Sequence, residues 1–142
     1  MKRLLLLCLF PCWFFSVQAG FVLRDGATSV KIPIEVQNNI ILVPLSINGS
    51  FEMNFILDTG VRTTILTEPV LTSFLGLDSL RTIRVRGLGE GESIKAGLAS
   101  NVHMELPGVV GRGLRLIVLP QDVISYSGMF GKPVYGIIGH AI

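Results

Sequence analysis

The hydrophobic positions of the chain fall into short runs separated by turn-forming residues, a pattern of strands rather than long helices. Val30, Ile32, Ile34 and Val36 alternate with other residues, and this period of two predicts a strand. Pro33 removes one ladder donor, so the strand is expected at a sheet edge. Ile40 to Ile47 is strongly apolar, Asn48-Gly49 follows, and Phe51 to Leu57 is apolar again with Glu52 and Asn54 at alternate positions. Asn-Gly between two such runs tolerates the positive φ of a type I′ turn and predicts a hairpin. Val61 to Leu66 is rich in β-branched residues and predicts another strand.

The second half is punctuated in the same way. Thr67-Glu68-Pro69 has the composition of a helix start; Val70, Leu71, Phe74 and Leu75 give one apolar face and Gly76 a stop. Arg81 to Arg86 alternates charged and apolar residues as an exposed strand would. Gly87-Leu88-Gly89-Glu90-Gly91-Glu92 is a polar, glycine-rich tip, and Ser93 to Ala99 a returning strand. Val102 to Leu106, a Pro107-Gly108 turn and Leu114 to Leu119 repeat the first hairpin in outline, as a pseudo-twofold barrel would. Gln121 to Pro133 reads as loop.

The N-terminus stands apart. Lys2 and Arg3 precede an apolar stretch from Leu4 to Phe15, and Val17-Gln18-Ala19 offers small residues at the cleavage positions, so residues 1–19 read as a secretory signal peptide. The stretch is shorter than the ~20 apolar residues of a spanning helix, and no stable membrane span is expected after cleavage. Removing Lys2 and Arg3 takes the basic residues from 12 to 10, equal to the 10 acids, and the net charge from +2 to zero. That leaves no electrostatic case for nucleic acid. Cys8 and Cys12 leave with the signal, so the mature chain has neither disulfide nor thiol nucleophile. Export without disulfides suits a bacterial periplasm, or secretion. The remaining residues, 20–142, suffice for one domain with one core.

Phe55-Ile56-Leu57-Asp58-Thr59-Gly60 carries the candidate chemistry. A carboxylate at the end of a buried strand is costly to desolvate, so Asp58 is the first candidate for function. Other chemistries find no support. His103 and His140 are far apart and share no metal-binding spacing, and no Gly-x-Ser-x-Gly element exists. Residues 87–91 carry an acid where a phosphate would sit. Asn48-Gly49-Ser50 matches a glycosylation sequon, but the turn accounts for the same residues.

Apolar-apolar-Asp-Thr-Gly, preceded by a hairpin and followed by a threonine-rich strand, resembles the retropepsin-like aspartic proteases, including the bacterial exported members. The apolar-apolar-Gly element of Tyr135-Gly136-Ile137-Ile138-Gly139 adds to the likeness, which covers most of residues 40 to 139. The resemblance implies an all-β fold, a closed barrel of β-hairpins with one or two short helices. It implies an aspartic endopeptidase acting on peptide or protein substrates without a cofactor. Asp58 would be catalytic, with Thr59 and Gly60 supporting its loop, and Gly87, Leu88, Gly89, Glu90 and Gly91 would form a flap over the substrate. In such enzymes two carboxylates at about 3 Å share one proton, the known example of coupled acids whose pKa values are driven apart. This chain has one Asp-Thr-Gly, so a homodimer is expected, with one Asp58 from each copy. Val61 stands where the family has alanine or serine, and its bulk is expected to crowd the floor of the site. The sequence ends at Ile142, where the resemblance implies a further helix and a strand of the dimer sheet. The alternative expectation is a non-catalytic β module of the same fold, used for binding or assembly.

Overall fold

The computed structural model describes residues 20–86, 93–121, 124, 126 and 128–140. Nine strands form among them: β1 (Gly20–Leu23), β2 (Glu35–Gln37), β3 (Ile40–Ile47), β4 (Met53–Leu57), β5 (Thr64–Leu66), β6 (Arg81–Val85), β7 (Ile94–Leu106), β8 (Val109–Val118) and β9 (Gly136–Ile138). Among the described residues the helical content is two single 3-10 turns, Arg24–Gly26 and Pro69–Leu71, so the fold is all-β as expected. No helix among the described residues is long and apolar enough to cross a membrane.

Strand pairing closes a ring. β3 pairs with β4, β4 with β9, β9 with β5, β5 with β8, β8 with β7, and β7 returns to β3. Closure removes the sheet edges that would otherwise expose unpaired amides. β1 adds to β8, β2 to β3 and β6 to β7 as short extensions.

The period of two along each strand sorts side chains between the two faces of this ring. Val43, Leu45 and Ile47 from β3, Met53 and Phe55 from β4, Leu66 from β5 and Leu114, Leu116 and Val118 from β8 fill the interior. Phe55 is fully buried there, and truncating such a side chain to alanine costs about 3–5 kcal/mol. The intervening residues form a row across the outer face. Leu42, Ile56, Ile137, Ile65, Ile117, Leu98 and Arg81 are successive cross-strand partners. Leu42, Ile56 and Ile137 are buried under Phe130 and Val134, forming a second, smaller cluster on the outside of the barrel.

The first hairpin forms as its sequence predicts. Asn48 (φ 50°) and Gly49 (φ 75°) both take the left-handed region, and the Ser50 amide donates to the Ile47 carbonyl at 3.0 Å. The paired part of its second strand begins at Met53 rather than Phe51. The edge strand expected over residues 30–36 is reduced to Glu35–Gln37. Pro33 cannot donate to a ladder, Val30, Ile34 and Val36 are exposed, and only Ile32 packs against the interior.

Two further expectations are corrected. The strand over residues 61–66 shortens to Thr64–Leu66, because Val61 is occupied in a turn: its amide donates to the Asp58 carbonyl at 3.3 Å and its carbonyl accepts from His140 at 2.8 Å. The helix expected from Thr67 is a 3-10 turn followed by a second turn ending at Gly76 (φ 63°). Thr67 does not cap it, since its hydroxyl and amide both donate to the Tyr135 carbonyl, at 3.0 and 2.9 Å. Leu75 is buried, whereas Val70 and Phe74 point to solvent.

Candidate active site

Asp58 stands where the parallel ladder between β4 and β9 runs out. Phe55, Ile56 and Leu57 pair with Gly136, Ile137 and Ile138, and the Asp58 amide makes one more bond, donating to the Ile138 carbonyl at 3.0 Å. The backbone then turns, and the Gly60 amide donates to Asp58 Oδ1 at 2.7 Å. A short bond from a backbone N–H to a carboxylate is charge-assisted and fixes the rotamer of the acid. Asp58 Oδ2 accepts no hydrogen bond among the described residues, and the side chain is half-buried. Among the described residues the carboxylate is therefore held by one oxygen alone.

The glycines of the late signature let this loop close. A β-carbon at Gly136 would overlap the Ile65 carbonyl oxygen and lie 2.6 Å from Phe55 Cε1, and one at Gly139 would lie 2.7 Å from the Arg62 carbonyl carbon. β9 can thus wedge between β4 and β5 only without a side chain at Gly136, which is how two segments some 80 residues apart meet at Asp58.

Thr59 is exposed, and its hydroxyl has no hydrogen-bond partner among the described residues. Val61 packs with Ile65 and Tyr126 against the outer cluster of Leu42, Ile56, Phe130, Val134 and Ile137. The flap expectation falls on Gly87, Leu88, Gly89, Glu90 and Gly91, which lie outside the described residues. The two strands leading to them are present, β6 and β7 being antiparallel with Val85 opposite Ile94.

Sequence reading missed Tyr126. It sits in the segment read as loop, half-buried in the outer cluster, its ring centroid 6.2 Å from that of Phe130. Burial pushes its phenol above the ordinary tyrosine range, and the negative charge of Asp58 pushes it further. Tyr126 packs on the same outer cluster as Val61, three residues after Asp58. The only signal in the sequence was an aromatic residue amid serine and glycine, which marks a side chain worth anchoring but not what anchors it. The loop is laced to the hairpin beneath it: Asn54 donates to the Pro133 carbonyl at 3.0 Å, Tyr135 to the Asn54 carbonyl at 2.9 Å, and Lys132 pairs with Glu35.

A family model described as aspartyl protease matches residues 43–141, a span that runs from β3 through the Asp58 loop and past β9. No curated protein matches the chain.

Proposed function

The chain belongs to the aspartyl protease family, and from that premise we propose that it is an endopeptidase whose water nucleophile is activated by paired Asp58 carboxylates in a homodimer. The observation that carries this reading is the state of Asp58: one carboxylate oxygen held by the Gly60 amide at 2.7 Å, the other without a hydrogen-bond partner among the described residues. In a pair, one carboxylate takes a proton from the attacking water while the other gives its proton to the scissile carbonyl oxygen. The tetrahedral intermediate then collapses, the C–N bond breaks and the amine leaves with a proton from the dyad. One carboxylate per chain cannot fill both roles at once. A twofold axis beside Asp58 brings the second copy without any further motif. The exposed Thr59 hydroxyl is then available to bond across that axis.

Peptide cleavage by the purified chain tests the reading. Activity should follow a bell-shaped pH profile belonging to the pair, be blocked by pepstatin-like transition-state analogues, and fall on the order of a thousandfold in Asp58→Asn. Sedimentation should give a dimer under assay conditions. Cleavage that survives Asp58→Asn, or full activity from a strict monomer, would overturn it. The basic start and apolar stretch of residues 1–19 support export, to a bacterial periplasm or the medium, so the mature chain from such a fraction should begin at Gly20.

A further inference from the structure

Beside the Asp58 loop the barrel carries a cavity of about 800 Å3 walled by Arg62, Arg81, Arg84 and Arg115, with Ile83, Leu98 and Ile117 beneath them. Arg84 also borders a smaller recess of about 370 Å3 with Arg86, Ser93 and Lys95. Among the described residues no carboxylate lines either space, and none of the four arginines forms an ion pair. The acids that are paired lie elsewhere, Glu105 with Arg24 and Glu35 with Lys132.

The register ties this cavity to Asp58. Leu98 and Ile117 belong to the outer-face row that continues through Ile65 and Ile137 to Ile56, two residues before Asp58, and Arg62 follows Gly60 by two residues. Four guanidinium groups facing one space repel each other, and folding alone gives no reason to gather them. An anionic occupant offsets that repulsion, and the guanidinium fork matches a carboxylate in geometry. The apolar floor favours an occupant that also carries apolar side chains. A long polyanion is disfavoured, because outside residues 1–19 the chain is formally neutral.

We infer that the arginine-walled cavity selects acidic peptide segments, so that the preferred substrates carry Asp or Glu interleaved with apolar residues beside the scissile bond. The inference rests on the endopeptidase reading above for the word substrate, but the recognition itself is testable without turnover. The probes are a fluorescein-labelled peptide of alternating Glu and Leu and its Gln-Leu counterpart, titrated by anisotropy against the full chain carrying Asp58→Asn.

The acidic peptide should bind on the order of tenfold more tightly at low salt, since several exposed pairs of modest strength act together. That preference should vanish at high salt and in the Arg84→Gln/Arg115→Gln variant, with Arg62→Gln as a second, single change and far-UV circular dichroism as the check on folding. Equal affinity for the two peptides, or a preference that survives loss of the arginines, overturns the inference. So does displacement of the acidic peptide by inorganic polyphosphate at lower concentration than by unlabelled peptide. Charge-selective binding by the wild-type chain with the peptide left intact overturns the endopeptidase reading instead, and leaves the cavity as an acidic-peptide site.

Discussion

The Asp58 amide donates to the Ile138 carbonyl at 3.0 Å, so the two signatures of the chain are held together by their backbones at the very residue proposed for the chemistry. This contact depends on β9 lying deep between its neighbours, where Gly136 meets the Ile65 carbonyl and Phe55. Because the opposing atoms include backbone, they cannot swing aside. Gly136→Ala should therefore destabilise the protein by about 3 kcal/mol or abolish folding, as overpacking against fixed atoms does. Urea unfolding reads this directly, and a midpoint within error of wild type would show that β9 does not sit as deeply as described.

Asn48 is clamped as well as turned. Its Nδ2 donates to the Leu75 carbonyl at 2.8 Å, its Oδ1 accepts from the His103 amide at 2.9 Å, and its φ of 50° is one that asparagine tolerates better than most residues. Asn48→Ala removes two hydrogen bonds and strains the turn, an expected loss of about 2–3 kcal/mol. Asn48→Asp keeps the acceptor alone and should lose less. A glycan on Nδ2 would compete with the Leu75 bond, so expression in a glycosylating host should yield a chain unmodified at this position by mass spectrometry.

What the sequence conveyed, and what it hid, follows from parity. The first hairpin was legible because Asn48-Gly49 and the alternation around it agree. β7 was read as two segments, 93–99 and 102–106, because Asn101 takes a φ of 60° at a bulge and the buried side switches from Ala99 to Val102, Met104 and Leu106. Gly113, at φ 67°, does the same in β8: Val109 and Gly111 are buried before it, Leu114 and Leu116 after it. A strict period of two cannot follow a strand across such a shift. Asp58 was visible as an acid ending an apolar run. Tyr126 and the four arginines were not, because their meeting depends on register between strands distant in the chain.

Glu35 offers a test of how the loop over the site is fastened. The hydrogen bond from Lys132 holds its carboxyl below the ordinary value of 4.5, with a smaller contribution from Gln37. A group whose folded pKa is depressed adds stability that is present above its unfolded pKa and is lost as pH falls through the folded one. The pair is exposed, so salt should weaken it. In Glu35→Gln, the decline in urea midpoint below about pH 4.5 should be shallower than in wild type at low salt and indistinguishable at high salt. Parallel acid limbs at low salt would mean that Lys132 does not hold this loop through Glu35.

Tyr126 reports on Asp58 from the other side. Its phenol is raised first by burial and then by the charge of Asp58. A raised folded pKa means that its contribution to stability is full below the ordinary value of 10.0 and is lost as pH rises through the folded value. Neutralising the carboxylate removes only the second cause. In a Tyr135→Phe background, which leaves Tyr126 as the one remaining tyrosine of two, Asp58→Asn should move the phenolate absorbance titration to lower pH without bringing it back to 10.0. A titration that does not move would separate Tyr126 from Asp58, and would remove the loop from the site while leaving the carboxylate and its Gly60 bond untouched.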